Sequence, residues 1–158
     1  MKKIPMTKAS YETVKEELEV LKRDERPAII QSIADARDLG DLSENAEYHA
    51  AREKQGFLEA RIGELENMIA CAEVVDISLL SGKKVSFGAT VKLCDEETEE
   101  EKSYKIVGEA EADISKSLVS YLSPIAKSLM GKEPEDRVEV RTPAGIKAYE
   151  IIDVAFIE

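Results

Sequence analysis

The 158-residue chain is long enough for one large domain or two small ones. With 35% charged residues, 5% aromatics and no tryptophan, it reads as long solvated helices beside a modest core. Its net charge of −11 is shared by both halves: residues 1–76 hold 11 Lys and Arg against 17 Asp and Glu, and residues 77–158 hold 11 against 16. Neither half carries the basic footprint of a protein that grips free nucleic acid by itself.

Cys71 and Cys94 lie far apart in the chain and match no metal or redox spacing, so they are expected to be reduced spectator thiols. The start, "MKKIPMTKASYETVKEELEV", has two lysines with no apolar run behind them and does not read as a signal peptide. No window approaches the apolar length of a membrane span. The expectation is a soluble, cytoplasmic protein with no membrane partner.

In chain order, Thr7 is the first signal, an N-cap whose hydroxyl can accept from early backbone N–H groups. Tyr11, Val14, Leu18 and Leu21 follow at helical spacing. Pro27 lacks an N–H and collides with the preceding turn, so a kink or a restart is expected there. The pattern resumes at Ile29, Ile30 and Ile33 and stops at Gly40.

Beyond this stop, Tyr48, Ala51, Gln55, Leu58, Ile62, Leu65, Ile69 and Ala72 alternate in steps of three and four, a heptad seam. Two helices joined by a short Gly-containing loop predict an antiparallel coiled-coil hairpin over residues 1–76. Such a hairpin buries little and would project from its anchor. A dimerising coiled coil is the plainer alternative.

Between the two arms lies "DLGDLSENAEYHAAR", with Asp38, Asp41, Glu44 and Glu47 in ten residues. Asp41-x-x-Glu44 has the form of a capping box, Ser43 is another candidate cap, and negative charge suits a helix N-terminus. The competing reading is that the excess acids present oxygen ligands to a hard cation. Two exposed carboxylates make only half a Mg²⁺ site, because that ion demands six well-placed oxygens. They become useful where another molecule already holds a metal and a phosphodiester. Arg37 and Arg52 flank the tip. They pair with acids such as Asp38 and Glu53, or they form a cationic patch that steers a phosphate chain. His49, the only histidine, shows no partner or pocket that would make it a base.

From about residue 77 the period changes to alternation. Val85, Phe87, Ala89, Val91 and Leu93 read as a strand, "CDEETEEEK" as an acidic turn and "SYKIVG" as the returning strand. "SLVSYLSPIAKSLMGKEPED" reads as a short strand, then a helix with Ser123 as N-cap, Pro124 at its first position and Gly131 as stop. "DRVEVRTPAGIKAYEIIDVAFI" reads as a hairpin. Residues 77–158 are therefore expected to be a small α+β domain, mainly antiparallel, with one short helix. It shows no nucleophile–base pair, Gly-rich phosphate loop or zinc spacing, and its expected task is docking.

The tip "GDLSENAEYHAAREKQGF", followed by "FGATV", "YKIVG", "SPIA" and "TPAG…YEI", closely resembles the Gre family of bacterial transcript-cleavage factors. The likeness runs from "IPMT" to the last strand. It departs after Gly108, at Glu109-Ala110-Glu111-Ala112-Asp113, where the family more often has an aspartate directly after the glycine. The resemblance implies a coiled coil inserted into the secondary channel of RNA polymerase and an FKBP-like C-terminal domain gripping the channel rim. It implies that Asp41 and Glu44 help bind the second Mg²⁺ at the polymerase's own active site, which then hydrolyses the 3′ end of a backtracked RNA. The ion is then shared with the polymerase and not held stably by this chain. Arg37 and Arg52 match the family's basic patch facing RNA, and Ser43 matches a position beside the acids. The chain itself is then no enzyme, and its partners are RNA polymerase and the nascent RNA 3′ end, with no free small-molecule substrate.

Two other functions compete. A prolyl isomerase or peptide-binding role for residues 77–158 would need an aromatic pocket, for which only Phe87, Tyr104, Tyr121, Tyr149 and Phe156 are at hand. A channel-occluding inhibitor that never stimulates cleavage would have no use for an intact Asp41/Glu44 pair.

Overall fold

The spacing of the first half becomes helix almost throughout. In the computed structural model, which describes residues 2–41 and 44–158, strand β1 (Ile4–Thr7) leads directly into α1 (Lys8–Val20). A π-helical turn (Leu21–Glu25) and α2 (Arg26–Arg37) complete the first arm. The second arm is one helix, α3 (Ala46–Cys71), whose 26 residues span about 39 Å at 1.5 Å per residue.

The seam forms as spaced as far as Ile69, whereas Ala72, its last expected position, lies beyond the end of α3 in extended conformation. Ala51, Ile62 and Leu65 on α3 are buried, as are Val14, Leu21, Ile33 and Ala36 on the first arm. Tyr48, Gln55, Leu58 and Ile69 are half-buried, whereas Ile30 points away from the seam and is exposed. Charged side chains close the edges: Arg61 grips Glu17 through two 3.0 Å bonds, and Arg26 grips Glu59 at 2.8 and 2.7 Å. Lys22 reaches Glu66 at 3.3 Å. Paired forks of this kind fix which residues face each other across the arms more than they add stability, because all are solvated.

At Pro27 the expected kink or restart is replaced by a local widening. Val20, Glu25 and Arg26 all keep helical dihedrals, and the Arg26 N–H bonds to the Leu21 carbonyl, one residue further back than in an α-helix. The wider turn immediately before Pro27 accommodates a ring that would otherwise press on the carbonyl four residues earlier. The helix thus continues without a break.

The second half begins with β2 (Ala72–Val75), which pairs with β1 in a two-stranded sheet. A five-stranded sheet follows, in the order β5-β4-β3-β7-β6. Its strands are β3 (Thr90–Asp95), β4 (Glu101–Val107), β5 (Leu118–Ser120), β6 (Arg137–Thr142) and β7 (Gly145–Ala155). Pairing is antiparallel except for β4 with β5, which is parallel. Between Lys92 and Leu93 the register against β7 shifts, leaving Ile152 as the extra residue of a bulge. α4 (Pro124–Leu129) has the expected cap, the Ser123 hydroxyl accepting from the Ala126 N–H.

The first strand of this sheet starts later than the alternation suggests. Val85 and Ala89 are buried, but Gly88 turns the chain at φ +90°, so the ladder begins at Thr90. Leu93, Ile106, Leu129 and Ile151 form the centre of the core. Phe87, Tyr104, Tyr121 and Phe156 pack against it, partly buried, and Tyr149 lies within it.

The chain divides into two compact units, one centred on Tyr11–Ala72 and the other combining Ile4–Ser10 with Glu73–Glu158. β1 therefore clusters with the sheet-bearing unit although it precedes the hairpin. Thr7, 2% exposed, shows why: its hydroxyl accepts from the Ser10 N–H, as the N-cap reading expects, and donates to the Glu111 carboxylate at 2.7 Å. Gly108 lies so close to β1 that a Cβ there would sit 2.8 Å from the Pro5 carbonyl oxygen. The segment after Gly108 is thus anchored to β1.

Candidate functional site

The tip is built from the ends of α2 and α3. After Arg37 the N–H groups of Asp38 and Leu39 turn back to the carbonyls of Asp35 and Ala36, at 3.2 and 3.1 Å. Gly40 follows at φ +132°, a conformation open to glycine and strained for other residues. The Asp41 carbonyl then accepts from the Glu44 N–H at 3.3 Å.

Neither acid caps α3. Asn45, in extended conformation, is the N-cap, and its side-chain oxygen accepts from the Tyr48 N–H at 3.0 Å. Its amide nitrogen donates to the Ala36 carbonyl on the other arm. One side chain therefore caps the second helix and ties it to the end of the first. The capping box at Asp41-x-x-Glu44 is thereby corrected, because the first free N–H groups of α3 begin after Asn45. Ser43, the other candidate cap, lies outside the described residues. Asp41 and Glu44 are both exposed.

The arginines converge. The guanidinium carbons of Arg37 and Arg52 each lie 5.9 Å from the centre of the Tyr48 ring. Arg52 Nη1 also donates to the Tyr48 hydroxyl at 3.2 Å. The Tyr48 phenol is held below its ordinary value, first by the neighbouring Arg37 guanidinium and then by Arg52, with partial burial opposing them. His49 meets the same ring edge-on, centroids 5.6 Å apart, and is itself exposed.

Two carboxylates are hard oxygen donors, the chemistry that Mg²⁺ prefers, and too few to complete its shell. Among the described residues no group of three or more His, Cys, Asp or Glu side chains is placed to hold a metal ion. The donor set suits an ion whose remaining ligands come from elsewhere. No helix is long and apolar enough to cross a membrane among the described residues.

Asn45 and Tyr48 are the site residues that the sequence reading missed. Asn45 offered a signal, an amide directly before the first seam residue. The heptad spacing marks Tyr48 only as a seam position.

Residues 4–74 match the family model described as "Transcription elongation factor, N-terminal", and residues 80–156 match "Transcription elongation factor, GreA/GreB, C-term". Hairpin and sheet are thus the two parts of one class of protein, the transcription elongation factors. Full-length relatives agree: "Transcription elongation factor GreA" of Jannaschia sp. is 59% identical over 157 residues, 99% of this chain and all of the relative. The protein of the same name from Cereibacter sphaeroides is 57% identical over the same coverage. Among solved structures, GreA factor homolog 1 of Thermus thermophilus is 26% identical with a TM-score of 0.45, over 97% of this chain and 99% of its own. The chain belongs to the GreA/GreB family of transcription elongation factors.

Proposed function

We propose that this elongation factor acts on RNA polymerase by carrying the Asp41 and Glu44 carboxylates, on the hairpin tip, through the secondary channel to the polymerase active site. There the two carboxylates help hold a Mg²⁺ ion, while the polymerase provides the remaining ligands and the catalytic centre. The bound ion supplies Lewis-acid stabilisation of the charge that develops at the scissile phosphodiester. Arg37 and Arg52 face the RNA and orient its backbone. The reaction is hydrolysis near the 3′ end of a backtracked transcript, which frees an arrested complex, and the factor itself is not the nuclease. The sheet-bearing unit docks on the polymerase.

The observation that carries this reading is the Asn45 cap. It performs the structural task to which the tip acids could have been assigned, and both carboxylates remain exposed. The acidic chain fits the same division of labour, since a polymerase supplies its own positive surface for nucleic acid.

The test is a defined arrested elongation complex, with and without the full-length protein. Shortened transcripts that resume elongation are the expected result. Slowed synthesis with no shortened transcripts overturns the reading in favour of channel occlusion.

A further inference from the structure

We propose that Tyr48 is a positioning residue that holds Arg37 and Arg52 together as one anion-binding fork for the RNA backbone at the hairpin tip. The inference rests on the function proposed above and assigns a role to a residue that otherwise looks like the first member of the seam.

The geometry makes the case. Arg37 is the last residue of α2 and Arg52 lies one turn beyond Tyr48 on α3, so they come from opposite arms. Two like charges left to themselves separate. Instead both guanidinium carbons sit 5.9 Å from one ring. An aromatic face is electron-rich and attracts cations without neutralising them. A carboxylate in its place would consume the charge a phosphate needs. The ring therefore offsets part of the repulsion and leaves both guanidinium groups cationic.

The ring is itself fixed. Its backbone N–H is the one that the Asn45 cap accepts, and the side chain is half-buried in the seam. The Arg52–hydroxyl bond at 3.2 Å adds a direction, orienting one guanidinium from the edge of the ring. Planar guanidinium groups so presented match phosphate oxygens.

The test uses full-length protein with an arrested elongation complex. Tyr48→Leu keeps an apolar seam side chain and removes the platform. Tyr48→Phe keeps the ring and removes the bond to Arg52. Tyr48→Leu is expected to slow stimulated cleavage by about tenfold, with Tyr48→Phe recovering most of that loss. In an Arg37→Ala/Arg52→Ala background Tyr48→Leu should have no further effect, because the residue acts through the arginines. A purely structural role predicts the opposite, a loss that adds in full to the double variant. That result, or wild-type cleavage by Tyr48→Leu, overturns the proposal.

A second readout is independent of polymerase. In ring-labelled tyrosine NMR of the free protein, the Tyr48 phenol should titrate at higher pH in Arg37→Ala and in Arg52→Ala. An unmoved titration in both overturns the platform. If wild-type protein fails to stimulate cleavage, the proposed function falls, and the NMR titration still decides whether Tyr48 gathers the arginines.

Discussion

The side-chain amide of Asn45 donates to the Ala36 carbonyl while its oxygen accepts the Tyr48 N–H. A single residue thus caps the second arm and ties it to the end of the first.

Replacing Asn45 with Ala removes both bonds and should destabilise the hairpin by about 1–2 kcal/mol. Asn45→Asp keeps an N-cap acceptor and loses the donor to Ala36, so it should fall between wild type and Asn45→Ala. Thermal unfolding followed by helix circular dichroism checks the order. Equal stability of Asn45→Ala and wild type would show that the clasp does not hold the tip.

Glycines separate into two kinds. At Gly108 an added Cβ meets the Pro5 carbonyl oxygen at 2.8 Å, a backbone atom with little freedom to move. Gly108→Ala should cost about 1–3 kcal/mol and loosen β1. At Gly56 and Gly63, in the interior of α3, an added Cβ meets nothing within 4 Å. Alanine there should stabilise the helix by about 0.5–1 kcal/mol each. Melting temperatures of the three single variants should move down, up and up.

Asp95 caps the acidic turn between β3 and β4, accepting from the Glu97 and Thr98 N–H groups at 2.8 and 3.3 Å. Those bonds hold its carboxyl below the ordinary 3.8, with burial opposing. A carboxyl with a lowered folded value contributes stability above its ordinary value, and that contribution is lost as pH falls through the folded value. Asp76, Asp113 and Asp153 are lowered in the same direction by Ser78, Ser115 and Lys83. The sheet-bearing unit should therefore lose stability below about pH 4. Asp95→Asn should be less stable at neutral pH and should decline less steeply in acid. Parallel declines in both proteins would contradict the assignment.

The hairpin was legible because its burial follows one period. Every seam position from Tyr48 to Ile69 is at least partly buried, and of the residues between them all but Met68 are exposed. The β6–β7 hairpin and α4 were legible for similar local reasons, a Pro-Ala-Gly turn and a Ser-Pro start. What the sequence hid depends on partners distant along the chain. β1 is four residues long and finds β2 only after the whole hairpin has intervened. The parallel pairing of β5 with β4 spans far less chain, and alternation does not register its direction. The π-helical turn is a one-residue shift of a hydrogen bond, which apolar spacing cannot register. At the tip, residue types announced an excess of charge but not its division of labour. Asn45 caps, Tyr48 gathers the arginines, and Asp41 and Glu44 stay exposed.

The most direct measurement is transcript cleavage in an arrested elongation complex by Asp41→Asn and Glu44→Gln, with polymerase binding measured on the same proteins. Each change keeps the side-chain shape and removes one negative charge. Stimulated cleavage should collapse in both variants while binding stays near wild type. Cleavage that persists in both variants would contradict the account.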